Sequence, residues 1–151
     1  MALDARNYPP TDDSGLRLRS DLQDGFENQR NEGKTEMAVG IFAGIAVSNF
    51  GVALEWYKKL LGADPAFYPN DIEAVWRLAE DRHVYIIQDL ERAGGAVSMI
   101  WVDDPIAEVA RIAQRGLEPV DVEKHDGVWK YVFHDSDGNE TGIGGTVSAS
   151  G

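Results

Sequence analysis

The chain states one pattern twice. Ile45-Ala46-Val47-Ser48-Asn49 returns as Ile100-Trp101-Val102-Asp103-Asp104, and each leads into a helix-patterned stretch closed by a glycine, Gly62 and Gly116. Further on, Val75-Trp76-Arg77-Leu78 returns as Val128-Trp129-Lys130-Tyr131. The pairs are offset by about 54 residues, a near-constant period that marks an internal repeat. Two copies are too few for a solenoid, where each unit buries its apolar face only against several neighbours. They imply two like modules packed into one domain, with a cleft between them.

Periodicity assigns the elements of each module. From Ile41 to Ser48 alternate residues point to opposite sides, with Ile41, Ala43, Ile45 and Val47 on one of them, as in a strand. Asn49 stands where an N-cap side chain accepts from a free helix N–H. Phe50, Ala53, Leu54, Tyr57, Leu60 and Leu61 form a stripe at helical spacing, and Gly62 supplies the left-handed residue that ends a helix. Residues 66–69, 73–79 and 83–88 read as short strands, so the module is β-α-β-β-β. The second copy repeats the order. It has a strand over 97–102, a cap at Asp104, Pro105 in the first helical turn and an apolar stripe at Ile106, Val109, Ala110 and Ala113. Gly116 ends that helix, and strands are expected over 118–123, 128–134 and 141–144. Asp135-Ser136-Asp137-Gly138-Asn139 is a turn by composition.

Residues 1–36 lack this order. Pro9-Pro10, Asp12-Asp13-Ser14-Gly15 and Asn31-Glu32-Gly33 are loop signals, and only Leu18, Leu22 and Phe26 fall at helical spacing. The expected organisation is a flexible extension over 1–36, a folded domain over 37–146 and a tail over 147–151. Within the domain the modules run over 40–90 and 96–145.

At a net charge of -12, the surface repels phosphate backbones, which argues against a nucleic-acid partner. The same charge favours a cationic small molecule, or serves solubility alone. No apolar run reaches membrane-spanning length, and the first residues lack the basic start and apolar stretch of a secretory signal. The absence of cysteine excludes disulfides, thiol catalysis and thiolate metal sites. A cytoplasmic location without membrane contact is expected.

The two modules, a helix containing Trp56-Tyr57-Lys58-Lys59-Leu60-Leu61-Gly62, and the closing Asp135-Ser136-Asp137-Gly138-Asn139 turn resemble the vicinal oxygen chelate superfamily. That superfamily includes glyoxalases, bleomycin-resistance proteins and extradiol dioxygenases. Its final hairpin commonly reads Asp-Pro-Asp-Gly-Asn, and Ser136 stands here in place of the proline. The likeness spans residues 40–145. It implies an α+β fold in which two tandem βαβββ modules form a curved mixed sheet, a cup, with helices on the convex side. It also implies a homodimer.

Metal-dependent members place His, Gln or Glu on the concave face of each module's first strand and a Glu on the last strand. There the ion binds neighbouring substrate oxygens as a Lewis acid. The resemblance maps the first-strand position, seven residues before the Asn49 cap, onto Phe42, and the repeat carries it to Val97. The last-strand position, three residues after Asn139, is Gly142. None of the three side chains can ligate. A slip of one residue gives Ile41 or Ala43, Ala96 or Ser98, and Thr141 or Ile143, which are no better. No metal and no cofactor is therefore expected.

His83, His125 and His134 share no ligand spacing. His83, which follows Glu80-Asp81-Arg82 at the start of a strand, is the one candidate acid–base group. The Asp135-x-Asp137-x-Asn139 run lacks the glycine and final glutamate of a calcium loop, and Gly142-x-Gly144-Gly145 opens no helix to hold a phosphate.

Aromatic residues are the remaining signal. By parity with Phe42, Met99 and Trp101 belong on the concave side, and Trp76 and Trp129 hold equivalent places in the two modules. Phe42, Trp76, Tyr85, Met99, Trp101, Asp103, Trp129 and Tyr131 are expected to line a cup for a small, partly aromatic or cationic molecule. The competing reading puts these aromatics in the core or in a dimer interface. Two other functions compete with binding. One is a glyoxalase-like lyase, isomerase or dioxygenase with an unrecognised metal or an acid–base site such as His83. The other is an interaction protein acting through residues 1–36.

Overall fold

The computed structural model describes residues 37–147. The expected N-terminal extension, 1–36, and residues 148–151 of the tail lie outside the described residues. The first module consists of β1 (Ile41–Val47), α1 (Phe50–Leu61), β2 (Phe67–Asn70), β3 (Glu73–Ala79) and β4 (Arg82–Gln88). The second consists of β5 (Val97–Trp101), α2 (Pro105–Gln114), β6 (Asp121–His125), β7 (Val128–His134) and β8 (Glu140–Thr146). Two four-stranded sheets result, ordered β1-β4-β3-β2 and β5-β8-β7-β6. The identical order is the repeat expressed in space: in each copy the last strand pairs with the first. β5 runs parallel to β8, and the remaining pairs of that sheet are antiparallel hairpins. Among the described residues neither sheet closes into a barrel.

Local chemistry sets the element ends. Asn49 accepts from the Val52 N–H at 3.1 Å, and Asp104 accepts from the Ala107 N–H at 3.0 Å. Gly62 has φ 74°, and its N–H donates to the Lys58 carbonyl at 2.9 Å, closing α1. On α1 the buried residues are Ala53, Tyr57 and Leu60, within the expected stripe. On α2 the stripe is rotated: Pro105 and Ile112 are buried, while Ile106 is 48% exposed. The cause is Gly145. A side chain there would collide with the Val102 carbonyl and Pro105, so the bare glycine lets the start of α2 settle on β8. β6 begins later than expected, and every one of its residues is exposed, which leaves no alternation to read in the sequence.

The chain divides into two compact units. One holds β1 as far as Ile45 together with residues 64–87; the other holds residues 46–63 and the chain from Gln88 onward. Helix α1 thus belongs with the second module, not with the strands on either side of it in sequence. Within that second unit, one turn secures it. The Tyr57 hydroxyl donates to Asp135 Oδ2 at 2.8 Å, the Ser48 N–H donates to Asp137 Oδ2 at 2.8 Å, and Asn139 Nδ2 donates to the Ala46 carbonyl at 2.8 Å. Arg115, just past α2, donates from Nη2 to the Leu60 carbonyl at 3.2 Å, satisfying one of the free carbonyls at the end of α1.

Candidate ligand-binding site

In the first unit, cross-strand register sorts the side chains of β3 and β4 into two faces. Glu73 pairs with Ile87, Val75 with Tyr85, and Arg77 with His83, so these six share a face; Trp76 and Val84 share the other. Phe67, Val75 and Tyr85 form a buried cluster on the first face, with Phe42 and Ile87 packed against it. The Tyr85 ring lies directly over Gly44, where an added Cβ would sit 2.5 Å from Tyr85 Cζ. Phe42 stacks on the His83 imidazole, with ring centroids 4.5 Å apart and planes 15° apart.

The candidate acid–base group, His83, is buried. It is 2% exposed, and neither Nδ1 nor Nε2 has a hydrogen-bond partner. Burial holds its pKa below the ordinary histidine value; the Arg77 guanidinium pushes the same way and the Asp81 carboxylate opposes. The ring is therefore neutral at neutral pH. Glu73 Oε2, on the same face, is also buried without a partner.

In the second unit, Val97 pairs with Glu140, Met99 with Gly142, and Trp101 with Gly144. Across the next ladder Lys130 pairs with Gly144 and His134 with Glu140. Val97, Met99, Trp101, Lys130, His134, Glu140 and Gly142 thus share one face. Its β5 edge is open: Val97, Met99 and Trp101 are 76%, 50% and 55% exposed. The glycines of β8 let long neighbours lie flat. A Cβ on Gly142 would be 2.5 Å from Lys130 Cε, and one on Gly144 would be 2.9 Å from Met99 Sδ. The Lys130 ammonium reaches Glu140 Oε2 at 3.0 Å, with Glu123 Oε2 at 3.9 Å. That hydrogen bond raises the lysine pKa and lowers the Glu140 pKa, so the pair stays charged at neutral pH.

The eight residues expected to line one cup do not share a face. Phe42 and Tyr85 lie on the His83 face of the first unit, and Met99 and Trp101 on the Gly142 face of the second. Trp76, 2% exposed, lies on the opposite face of its sheet. Trp129 and Tyr131 pair with Gly145 and Ile143, which puts them on the side of β8 that meets α2. There Trp129 receives the Lys124 ammonium at 4.0 Å from its ring centroid. Trp76 and Trp129 take different places in their ladders, opposite Val84 and Gly145, and each lies on the other face of its sheet from Phe42 or Met99. Asp103 is exposed in the bend after β5. Lys130, absent from the expected set, was signalled by its strand parity opposite Gly144.

The donor set at the family's metal positions does not fit an ion: Phe42 offers a phenyl ring, Val97 an isopropyl group, and Gly142 only backbone beneath a lysine chain. Among the described residues no three His, Asp or Glu side chains converge in a way that could hold a metal.

A glyoxalase/bleomycin resistance protein from Catenulispora acidiphila DSM 44928 is 44% identical over 71% of this chain and 97% of its own, with a TM-score of 0.69. The chain belongs to the glyoxalase/bleomycin-resistance family, within the vicinal oxygen chelate superfamily. Solved structures of lower identity share its fold. TnmS3, an antibiotic binding protein from Streptomyces sp. CB03234, is 19% identical over 75% of this chain and 99% of its own, with a TM-score of 0.58. A lactoylglutathione lyase from Agrobacterium tumefaciens is 14% identical over 73% and 94%, also with a TM-score of 0.58. No family model matches the chain, and no curated protein matches it in sequence.

Proposed function

We propose that this family member binds a small, partly aromatic or cationic molecule without a metal ion and without turning it over. The observation that carries this is the replacement of metal-ligating side chains by hydrocarbon: Phe42 beside Tyr85, Val75 and Phe67 in one unit, and Val97 beside Met99 and Trp101 in the other. Binding is driven by apolar burial, about 25 cal/mol per Å² before the costs of association. The net charge of -12 favours a cation over an anion. The fold shared with the antibiotic binding protein TnmS3 supports sequestration as the mode of action. We take residues 37–146 as the binding domain and, from the family resemblance, a homodimer in the cytoplasm as its working form.

The test is a fluorescence titration of chelator-treated protein with the neutral aromatic probe N-phenyl-1-naphthylamine. Saturable binding that is indifferent to added divalent metal, and weakened about tenfold by Trp101→Ala, is the expected result. Failure to saturate, or binding that appears only with metal, contradicts the proposal.

A further inference from the structure

A buried imidazole with both nitrogens unpaired needs a physical explanation, because more than nine in ten buried polar groups find a partner. In His83 the orientation normally fixed by a hydrogen bond to one nitrogen is supplied instead by the stacked Phe42 ring. That leaves both edges of the ring unused, one donor and one acceptor in the neutral form. Phe42 covers one side of the ring, Arg77 faces it across the β3–β4 ladder, and Val75 and Tyr85 follow on the same face. Phe42, which covers the imidazole, is only half-buried, so the ring lies one side chain from solvent on that side.

We propose that His83 is the polar anchor for a planar aromatic ligand bearing a neutral group that both donates and accepts a hydrogen bond, such as an aromatic hydroxyl. The inference rests on the small-molecule reading above and adds the chemistry that selects the ligand. Discrimination follows from the unpaired nitrogens. A hydroxyl-bearing ligand satisfies one of them, by donating to the bare nitrogen or accepting from the N–H, and an isosteric methyl compound satisfies neither.

The experiment compares 2-naphthol with 2-methylnaphthalene on the full chain at pH 7.5, followed by ¹⁵N chemical shifts of the histidine rings and by tryptophan fluorescence. The expected result is about tenfold tighter binding of 2-naphthol, with saturating shifts at the His83 nitrogens. His83→Leu should remove the preference without removing hydrophobic binding, and His83→Gln should retain part of it. Equal binding of the two compounds with unmoved His83 signals overturns the anchor, leaves the nitrogens to an ordered water, and spares the small-molecule reading. Binding of neither compound anywhere on the protein overturns both.

Discussion

Replacing Tyr57 by Phe removes a hydroxyl that helps hold the second unit together. The Asp135 carboxylate, 7% exposed, accepts four hydrogen bonds. Oδ1 takes the Asp137 and Asn139 N–H groups, each at 2.9 Å, and Oδ2 takes Asn139 Nδ2 at 2.9 Å and the Tyr57 hydroxyl at 2.8 Å. Burial, and then the Asp135 charge, push the Tyr57 phenol far above its ordinary pKa, so it remains a donor at any working pH. Phenylalanine keeps the ring packing and removes the hydroxyl, with its bond to Asp135 and its contact with the buried Thr141 hydroxyl. A hydrogen bond to a charged acceptor contributes about 1.5–3 kcal/mol, and the carboxylate keeps its other partners, so a loss of about 2 kcal/mol is expected. For a folded domain of this size that corresponds to a melting temperature lower by about 8 °C. Urea and thermal denaturation followed by circular dichroism measure it. A loss below about 0.5 kcal/mol, typical of a surface substitution, would refute the assignment of Tyr57–Asp135 as a stabilising contact.

Three further outcomes follow from the geometry. Gly44→Ala should cost about 2 kcal/mol in urea denaturation, because its Cβ meets the buried Tyr85 ring, and Gly44→Ala in a Tyr85→Leu background should cost less. Gly62→Ala, at φ 74°, should cost about 1 kcal/mol, whereas the same change at Gly51, inside α1, should stabilise by a similar amount. His83 has a lowered pKa, so the unfolded chain takes up its proton first as pH falls below the ordinary value of 6.5. Its contribution is full above that pH and is lost on acidification towards the lower folded value. His83→Leu should flatten this part of the stability–pH curve, and an unchanged curve would contradict the buried neutral ring.

What the sequence revealed about the fold follows the range of the interactions concerned. Asn49, Asp104 and Gly62 were legible because a cap is decided within a few residues. The α2 face was not: Ala107, Ala110 and Ala113 make two faces nearly equivalent, and the choice is made by Gly145 on a distant strand. The Trp56-Tyr57 and Asp135-to-Asn139 motifs were each visible, but their meeting joins residues 78 apart in sequence. For the site, parity placed Met99 and Trp101, since β5 is a single uninterrupted alternation. Trp76 and Trp129 were grouped with them on residue type, whereas only the pairing with β4 and β8 fixes their face. The burial of His83 depends on Phe42 and on its cross-strand neighbour Arg77, neither of which its own sequence context reveals.

The most direct measurement is the elemental metal content of the purified chain, handled without chelator and offered nickel, zinc, manganese and iron(II) in turn. With Phe42, Val97 and Gly142 at the ligand positions, the expected result is well below one tightly held ion per chain after dialysis. A near-stoichiometric metal that survives dialysis would contradict metal-independent binding and restore Lewis-acid chemistry as the leading function.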